Sequence, residues 1–283
     1  MSSGKIIRVF PRRTAATPDD ELAFVGQPPM QFVRPIRAEV ERVDISVCFT
    51  WDIEEGHRLR KVWSEFYDDV RIGGPAFGDR GGEFEPGRYL ARGYTITSRG
   101  CPRNCDFCLV PNREGGIRTL AVRDGWNVLD NNLLACGKTH FAAVAEMLDR
   151  QPRGAEFTGG IDVRLLTPWH IAILRELRIR SIFVAYDIPE TAPIVADAVG
   201  SIRATGLNRR RLSCYVLVGR EGDTIPAAEK RCLNVWKWGA VPFAMYYRPP
   251  TARKKQTPPD WAAFVRRWTR RQEIYSRMKG AGL

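Results

Sequence analysis

The sequence predicts an α/β fold: a partial (β/α)6 barrel, open rather than closed, preceded by a small Rossmann-like βαβ fragment. Three observations carry this expectation. Six short segments rich in β-branched and aromatic residues recur between residues 93 and 247. Helical periodicity or helix caps fill the intervals, and such alternation implies parallel strands with right-handed crossovers. A lone strand–helix–strand pattern stands upstream of them.

The N-terminal elements come first. Residues 1–40 hold five prolines and little periodicity, so they read as loop-rich. "VDISVCFTWD" reads as a strand, "EEGHRLRKVWSEFY" as a helix and "DVRIGG" as a second strand. That is one βαβ unit, half of a Rossmann-like sheet. His57 sits on the charged helix and is expected to face solvent. "GGPAFGDRGGEFEPG" (73–87), with six glycines and two prolines, reads as a linker.

The six strands are "GYTITS" (93–98), "WNVLD" (126–130), "AEFTGG" (155–160), "SIFVAYD" (181–187), "RLSCYVLVG" (211–219) and "AVPFAMYY" (240–247). Between them, "FAAVAEML" sets Phe141, Val144, Ala145 and Leu148 on one helical face. Thr167 before Pro168 is an N-cap followed by a first-turn proline. Thr224 caps "IPAAEKRCLNVWKW", which stops at Gly239, and Gly206 ends the helix before it. A final helix opens at Thr257-Pro-Pro-Asp260, close to a capping box. Its apolar stripe is Trp261, Phe264, Val265, Trp268, Tyr275 and Met278. Six strands are too few for the usual eight-stranded barrel, and the active face is expected at their C-terminal ends. The expected divisions are residues 1–88, 89–250 and a basic C-terminal helix over 251–283.

Length and composition narrow the class. At 283 residues the chain can bury one large domain, or one domain and an appendage. A hydrophobic share of 44% and a charged share of 27% fit a globular protein. There is no run of about 18 apolar residues, so no membrane partner is expected. The N-terminus lacks a signal-peptide core, which makes the cytoplasm the default compartment. Seven cysteines, three of them clustered, do not form a secreted disulfide framework. Of the others, Cys48, Cys136, Cys214 and Cys232 are expected as buried apolar residues; a barrel-facing Cys214 could meet reactive chemistry. The net charge is +12, and Arg248–Leu283 carries ten Lys/Arg against two Asp/Glu. That balance suits a polyanion such as nucleic acid; the competing reading is a solvated basic surface.

"CPRNCDFC" concentrates the chemistry. Cys101, Cys105 and Cys108 follow the first strand with spacing C-x3-C-x2-C. Structural zinc uses four ligands, and no histidine lies near; His140 is 32 residues beyond Cys108. Three thiolates can instead hold three corners of an iron–sulfur cubane and leave its fourth iron open.

This motif, with Phe107 as its aromatic, placed after the first strand of a partial barrel, resembles the radical SAM superfamily over roughly residues 90–250. The resemblance implies a [4Fe-4S] cluster on Cys101, Cys105 and Cys108, with S-adenosylmethionine (SAM) chelating the open iron. An electron then cleaves SAM to methionine and a 5′-deoxyadenosyl radical, which takes hydrogen from a substrate. A flavodoxin- or ferredoxin-like electron donor is the implied partner.

Further positions match the family's binding elements. Asp130, Asn131 and Asn132 stand where a Gly-rich motif usually meets the methionine amino group; an Asx-type turn is the other reading. Gly159 and Gly160 permit close backbone approach, and this "TGG" competes for the amino-group role. Asp162 and Arg164 suit ribose or carboxylate contacts. Tyr186 and Asp187 end the fourth strand, where Asp187 either binds a ribose hydroxyl or caps the next helix. Val218 and Gly219 end the strand that resembles the adenine support. The N-terminal unit resembles the last part of a cobalamin-binding domain. It lacks the Asp-x-His-x-x-Gly motif, so cobalamin is not expected. Three functional readings remain: a radical SAM enzyme acting on nucleic acid, one acting on a peptide or small metabolite, and a cluster- and SAM-binding module without turnover.

Overall fold

The computed structural model describes residues 5–29, 40–249, 251–252 and 256–282. It contains two parallel sheets, each with its own core.

The first sheet is built from β1 (Lys5–Phe10), β2 (Ala23–Val25), β3 (Val40–Ser46) and β4 (Val70–Gly73), in the order β2-β1-β3-β4, all parallel. Helix α1 (Ile53–Trp63) joins β3 to β4, as the βαβ pattern requires. It buries Leu59 and Trp63 against Ile7, Val9, Val43 and Ile45. His57 is exposed, with its ring 5.5 Å from that of Phe77. The expectation of a loop-rich start is corrected here. "KIIRVF" is a central strand, because Ile7 and Val9 are fully buried between β2 and β3. Its neighbouring prolines sit outside the strand, where no ladder hydrogen bond is lost.

The second sheet contains β5 (Tyr94–Thr95), β8 (Asn127–Val128), β9 (Ala155–Ile161), β10 (Ile179–Tyr186), β11 (Leu212–Val218) and β12 (Val241–Tyr246). Their spatial order is β12-β11-β10-β9-β8-β5, parallel throughout, so each strand lies beside its successor. Between β5 and β8 come the antiparallel pair β6 (Ser98–Arg99) and β7 (Arg118–Thr119), with α2 (Val110–Glu114) between them. The crossovers are α3 (Lys138–Asp149), α4 (Pro168–Glu176), α5 (Ala192–Arg203) and α6 (Ile225–Trp238). Their apolar faces meet one face of the sheet, with Val184, Cys214 and Val216 fully buried beneath them. The expected face of α3 is buried in full. Thr224 caps α6, its side chain accepting from Ala227 N–H at 3.3 Å. The opposite sheet face carries half-buried Phe183, Tyr215 and Phe243, with Phe183 and Tyr215 stacked at 4.5 Å.

Cys214 therefore points into the helix layer and not onto the open face, because it shares a register row with buried Val184. Cys232 is buried as expected, whereas Cys48 is exposed and Cys136 half-buried.

The last expected helix is two: α7 (Pro259–Thr269) and α8 (Arg271–Gly280), separated at Arg270, whose ψ of 101° leaves the helical region. The capping box at Thr257 does not form, since the Thr257 hydroxyl accepts from Arg248 at 2.8 Å. Phe264, Trp268, Ile274 and Met278 of these helices join the second sheet's core, so the segment is part of that core. Among the described residues no helix is long and apolar enough to cross a membrane.

Candidate functional site

Parallel strands all end at one edge, so the loops after β5, β8, β9, β10 and β11 are brought together by topology alone. The cysteine segment is the first of these. It closes on itself through Cys101 N–H to Gly115 O (3.1 Å) and Cys108 N–H to Cys105 O (3.0 Å). Gly100 precedes it with φ +80°, and a Cβ there would lie 2.2 Å from Gly116 O, so the two loop arms meet backbone to backbone.

Glu114 locks this loop and carries no motif signal in the sequence. Its side chain is about 1% exposed. It accepts from Gly100 N–H at 3.0 Å, from the Asn131 amide at 2.6 Å and from Arg113 at 2.6 Å. Asn131 thus ties the loop after β8 to the cysteine segment and holds its position.

Asn132 meets one of the thiols directly. Its Nδ2 donates to Cys101 Sγ at 3.3 Å and to Asp162 Oδ2 at 3.1 Å. Its Oδ1 is buried and has no hydrogen-bond partner. An orphaned buried acceptor is costly unless a ligand donor meets it.

Asp162 is a hub at the end of β9. It accepts from Asn132, from Arg103 Nε at 3.1 Å, and from Arg164 Nε at 2.7 Å. Burial pushes its carboxyl up, but the hydrogen bonds and charges of Arg164 and Arg103 outweigh this and hold it below the usual carboxylate range. The Cys105 thiol lies near enough to Arg164 to raise its guanidinium further.

Asp187, after β10, faces the same cluster. Burial pushes its carboxyl up to about 6, opposed by Arg164 and Arg220 and reinforced by Asp162. It caps no helix, since Ile188 and Thr191 hold the N-cap positions of the 3-10 turn and helix that follow β10. Arg220, after β11, reaches the cysteine loop: it pairs with Asp106 at 2.7 Å and lies 4.9 Å from the Phe107 ring centre.

Other expected site residues go elsewhere. Asp130 is buried and turned to the strand that leads into the loop, accepting from Thr97 N–H, Thr97 Oγ1 and Ser98 Oγ, each at 2.6 Å. Tyr186 packs in the helix-covered core, its ring 5.3 Å from Trp238, because the register sets it on that face. Val218 is fully buried there too, and its carbonyl accepts from Tyr247 N–H at 2.8 Å. Gly219 N–H is taken by Asp223 at 2.8 Å. Gly159 is fixed by packing: a Cβ would lie 2.6 Å from Asp130 O. Gly160 has open space around it.

The thiols of Cys101, Cys105 and Cys108 are free. Burial raises the Cys108 thiol, a backbone contact at Val110 opposes this, and the charges of Cys105 and Cys101 add to it. The three sulfurs do not fall within 4.8 Å of one another; the one trio of possible metal ligands that does, among the described residues, is Asp130, Cys136 and His140. A single tetrahedral ion would draw thiolates to about 3.8 Å apart, from a metal–sulfur bond of about 2.3 Å.

Comparison of the chain with protein-family models, curated proteins and solved structures finds no match.

Proposed function

We propose that this chain is a radical SAM enzyme, its second sheet the (β/α)6 partial barrel of that class. One observation carries the reading. Three free, separated thiols follow the first strand, at the strand-end edge where Asn132, Asp162 and Asp187 converge from the next three loops. The donor set fits a [4Fe-4S] cluster on Cys101, Cys105 and Cys108, and the orphaned Asn132 Oδ1 fits a donor such as an amino group beside it. When bound, such a cluster supplies one electron to SAM and yields a radical that takes hydrogen from substrate.

The chain's own residues bind and orient. Asn132 Nδ2 steadies a thiolate at Cys101. Asp162 fixes Arg103 and Arg164 around the thiols, and Arg220 closes over Phe107. Asp187 offers a carboxylate for ligand hydroxyls. A flavodoxin- or ferredoxin-like donor is the corresponding partner. For substrate, we favour a polyanion; among the described residues of the tail, exposed Arg266 and Lys279 have no acidic partner. Arg267 and Arg277 are paired with Glu229, and Arg270 with Glu273.

The test is anaerobic. The protein is reconstituted with iron and sulfide, reduced with dithionite and given SAM, and 5′-deoxyadenosine is measured beside Cys105→Ala. Product from the wild type alone supports the proposal. A cluster without SAM cleavage would make the chain a binding module, and no cluster would overturn the reading entirely.

A further inference from the structure

A second cluster of ligating side chains lies beside the first, and the proposed reaction leaves it unused. Asp130 follows β8, Cys136 closes the 3-10 turn Leu133–Cys136, and His140 stands in the first turn of α3. Their ligand atoms lie within 4.8 Å of one another. We propose that Asp130, Cys136 and His140 bind one divalent transition-metal ion, with zinc the best match.

Four features point to it. The set combines carboxylate, thiolate and imidazole, the donors zinc accepts at about 2.0–2.3 Å. Cys136 ends the 3-10 turn, Gly137 turns the chain with φ +82°, and His140 follows in the first turn of α3, which brings the two ligand atoms within 4.8 Å. Asp130 is only 1% exposed, yet no Lys or Arg among the described residues pairs with it. A buried carboxylate without a cation is costly. Its hydrogen-bond donors, on Thr97 and Ser98, are all neutral, so none of them offsets its charge.

Charge closes the argument. Carboxylate, thiolate and a neutral imidazole carry two negative charges, which a divalent ion cancels. The Thr97 hydroxyl lies 3.1 Å from His140 Nε2 and also donates to Asp130, so it stands beside two ligands at once. Such hydroxyls orient ligands from outside the metal's own shell. The ion would cross-link the strand into the cysteine loop, the loop bearing Asn131 and Asn132, and α3. With three protein ligands, the ion's fourth position would be left to water or another small ligand.

This inference does not depend on the proposed reaction, because it uses none of Cys101, Cys105 and Cys108. The test removes those three thiols together by Cys→Ala substitution, strips metal with chelator, and titrates cobalt(II). The expected result is one equivalent bound, with a sulfur-to-cobalt charge-transfer band in the near ultraviolet that Cys136→Ala abolishes. Absence of a saturable one-equivalent complex, or a band that survives Cys136→Ala, would overturn the proposal. Should the triple variant not fold, wild-type protein is stripped and alkylated with and without equimolar zinc, and the Cys136 peptide is quantified by mass. Zinc should slow its alkylation at least about tenfold, and His140→Ala should remove that protection. Equal rates with and without zinc in the wild type would also overturn it.

Discussion

Asn132 donates its side-chain amide to the sulfur of Cys101 at 3.3 Å while its own buried carbonyl oxygen meets no partner. One end of this amide faces the thiol, and the other is a buried acceptor open to a ligand donor or an ordered water.

Replacing Asn132 by Leu keeps the volume and removes both ends. On the proposed reading the three cysteine ligands are untouched, so the visible absorbance of the reconstituted protein should persist. SAM affinity should fall about tenfold, the worth of one well-made hydrogen bond to a charged group. Equilibrium dialysis measures it; unchanged affinity would remove Asn132 from the binding site.

Glu114→Ala should be among the most damaging substitutions outside the cysteines. It strips the counter-charge from Arg113, and from Arg99 at 3.9 Å, and frees Gly100 and Asn131. Breaking a buried pair of this kind costs about 3 kcal/mol. Urea denaturation should show that loss, with Glu114→Gln intermediate because it keeps the shape but not the charge.

Gly100→Ala tests the loop's backbone. Its φ of +80° already disfavours a side chain, and the clash is with a carbonyl oxygen that no rotamer change can move. A loss of about 2 kcal/mol or more is expected, with fewer irons bound per chain after reconstitution. Wild-type iron content and stability in this variant would mean the loop is more pliable than its geometry implies.

Asp187 predicts a pH dependence. Its carboxyl is raised from 3.8 to about 6, so between those values the folded chain holds more protons than the unfolded one. Stability should therefore fall as pH rises from about 4 through 6, by at most about 3 kcal/mol from this group, at about 1.4 kcal/mol per unit. Asp187→Asn should remove that component and leave the protein more stable than wild type at pH 7.5. Urea midpoints of both at pH 5 and 7.5 provide the check.

Much of the second sheet was legible in the chain. Each of its strands is short, β-branched or aromatic, and bounded by a cap such as Thr224 or a stop such as Gly239, and these are local signals. The cysteine spacing was equally local. Face assignment was less so: Tyr186 and Val218 read as mouth residues yet lie under helices. A strand covered on one face and half-covered on the other shows too little alternation to say which side is which. "KIIRVF" was hidden because its hydrophobicity is satisfied by β3, more than thirty residues away, and nothing adjacent announces that pairing.

The sequence by itself determined the alternation of strands and helices, and hence a parallel sheet whose loops share one edge, with three thiols on the first of them. It could do so because periodicity, caps and ligand spacing act over a few residues. Only the tertiary structure decided that Glu114 locks the cysteine loop and that Asp130 turns from the thiols toward Cys136 and His140. It also set Asn132 between Cys101 and Asp162. Those meetings join positions up to 31 residues apart through burial and hydrogen-bond completion. Such constraints belong to the folded chain as a whole and leave no periodic trace along it.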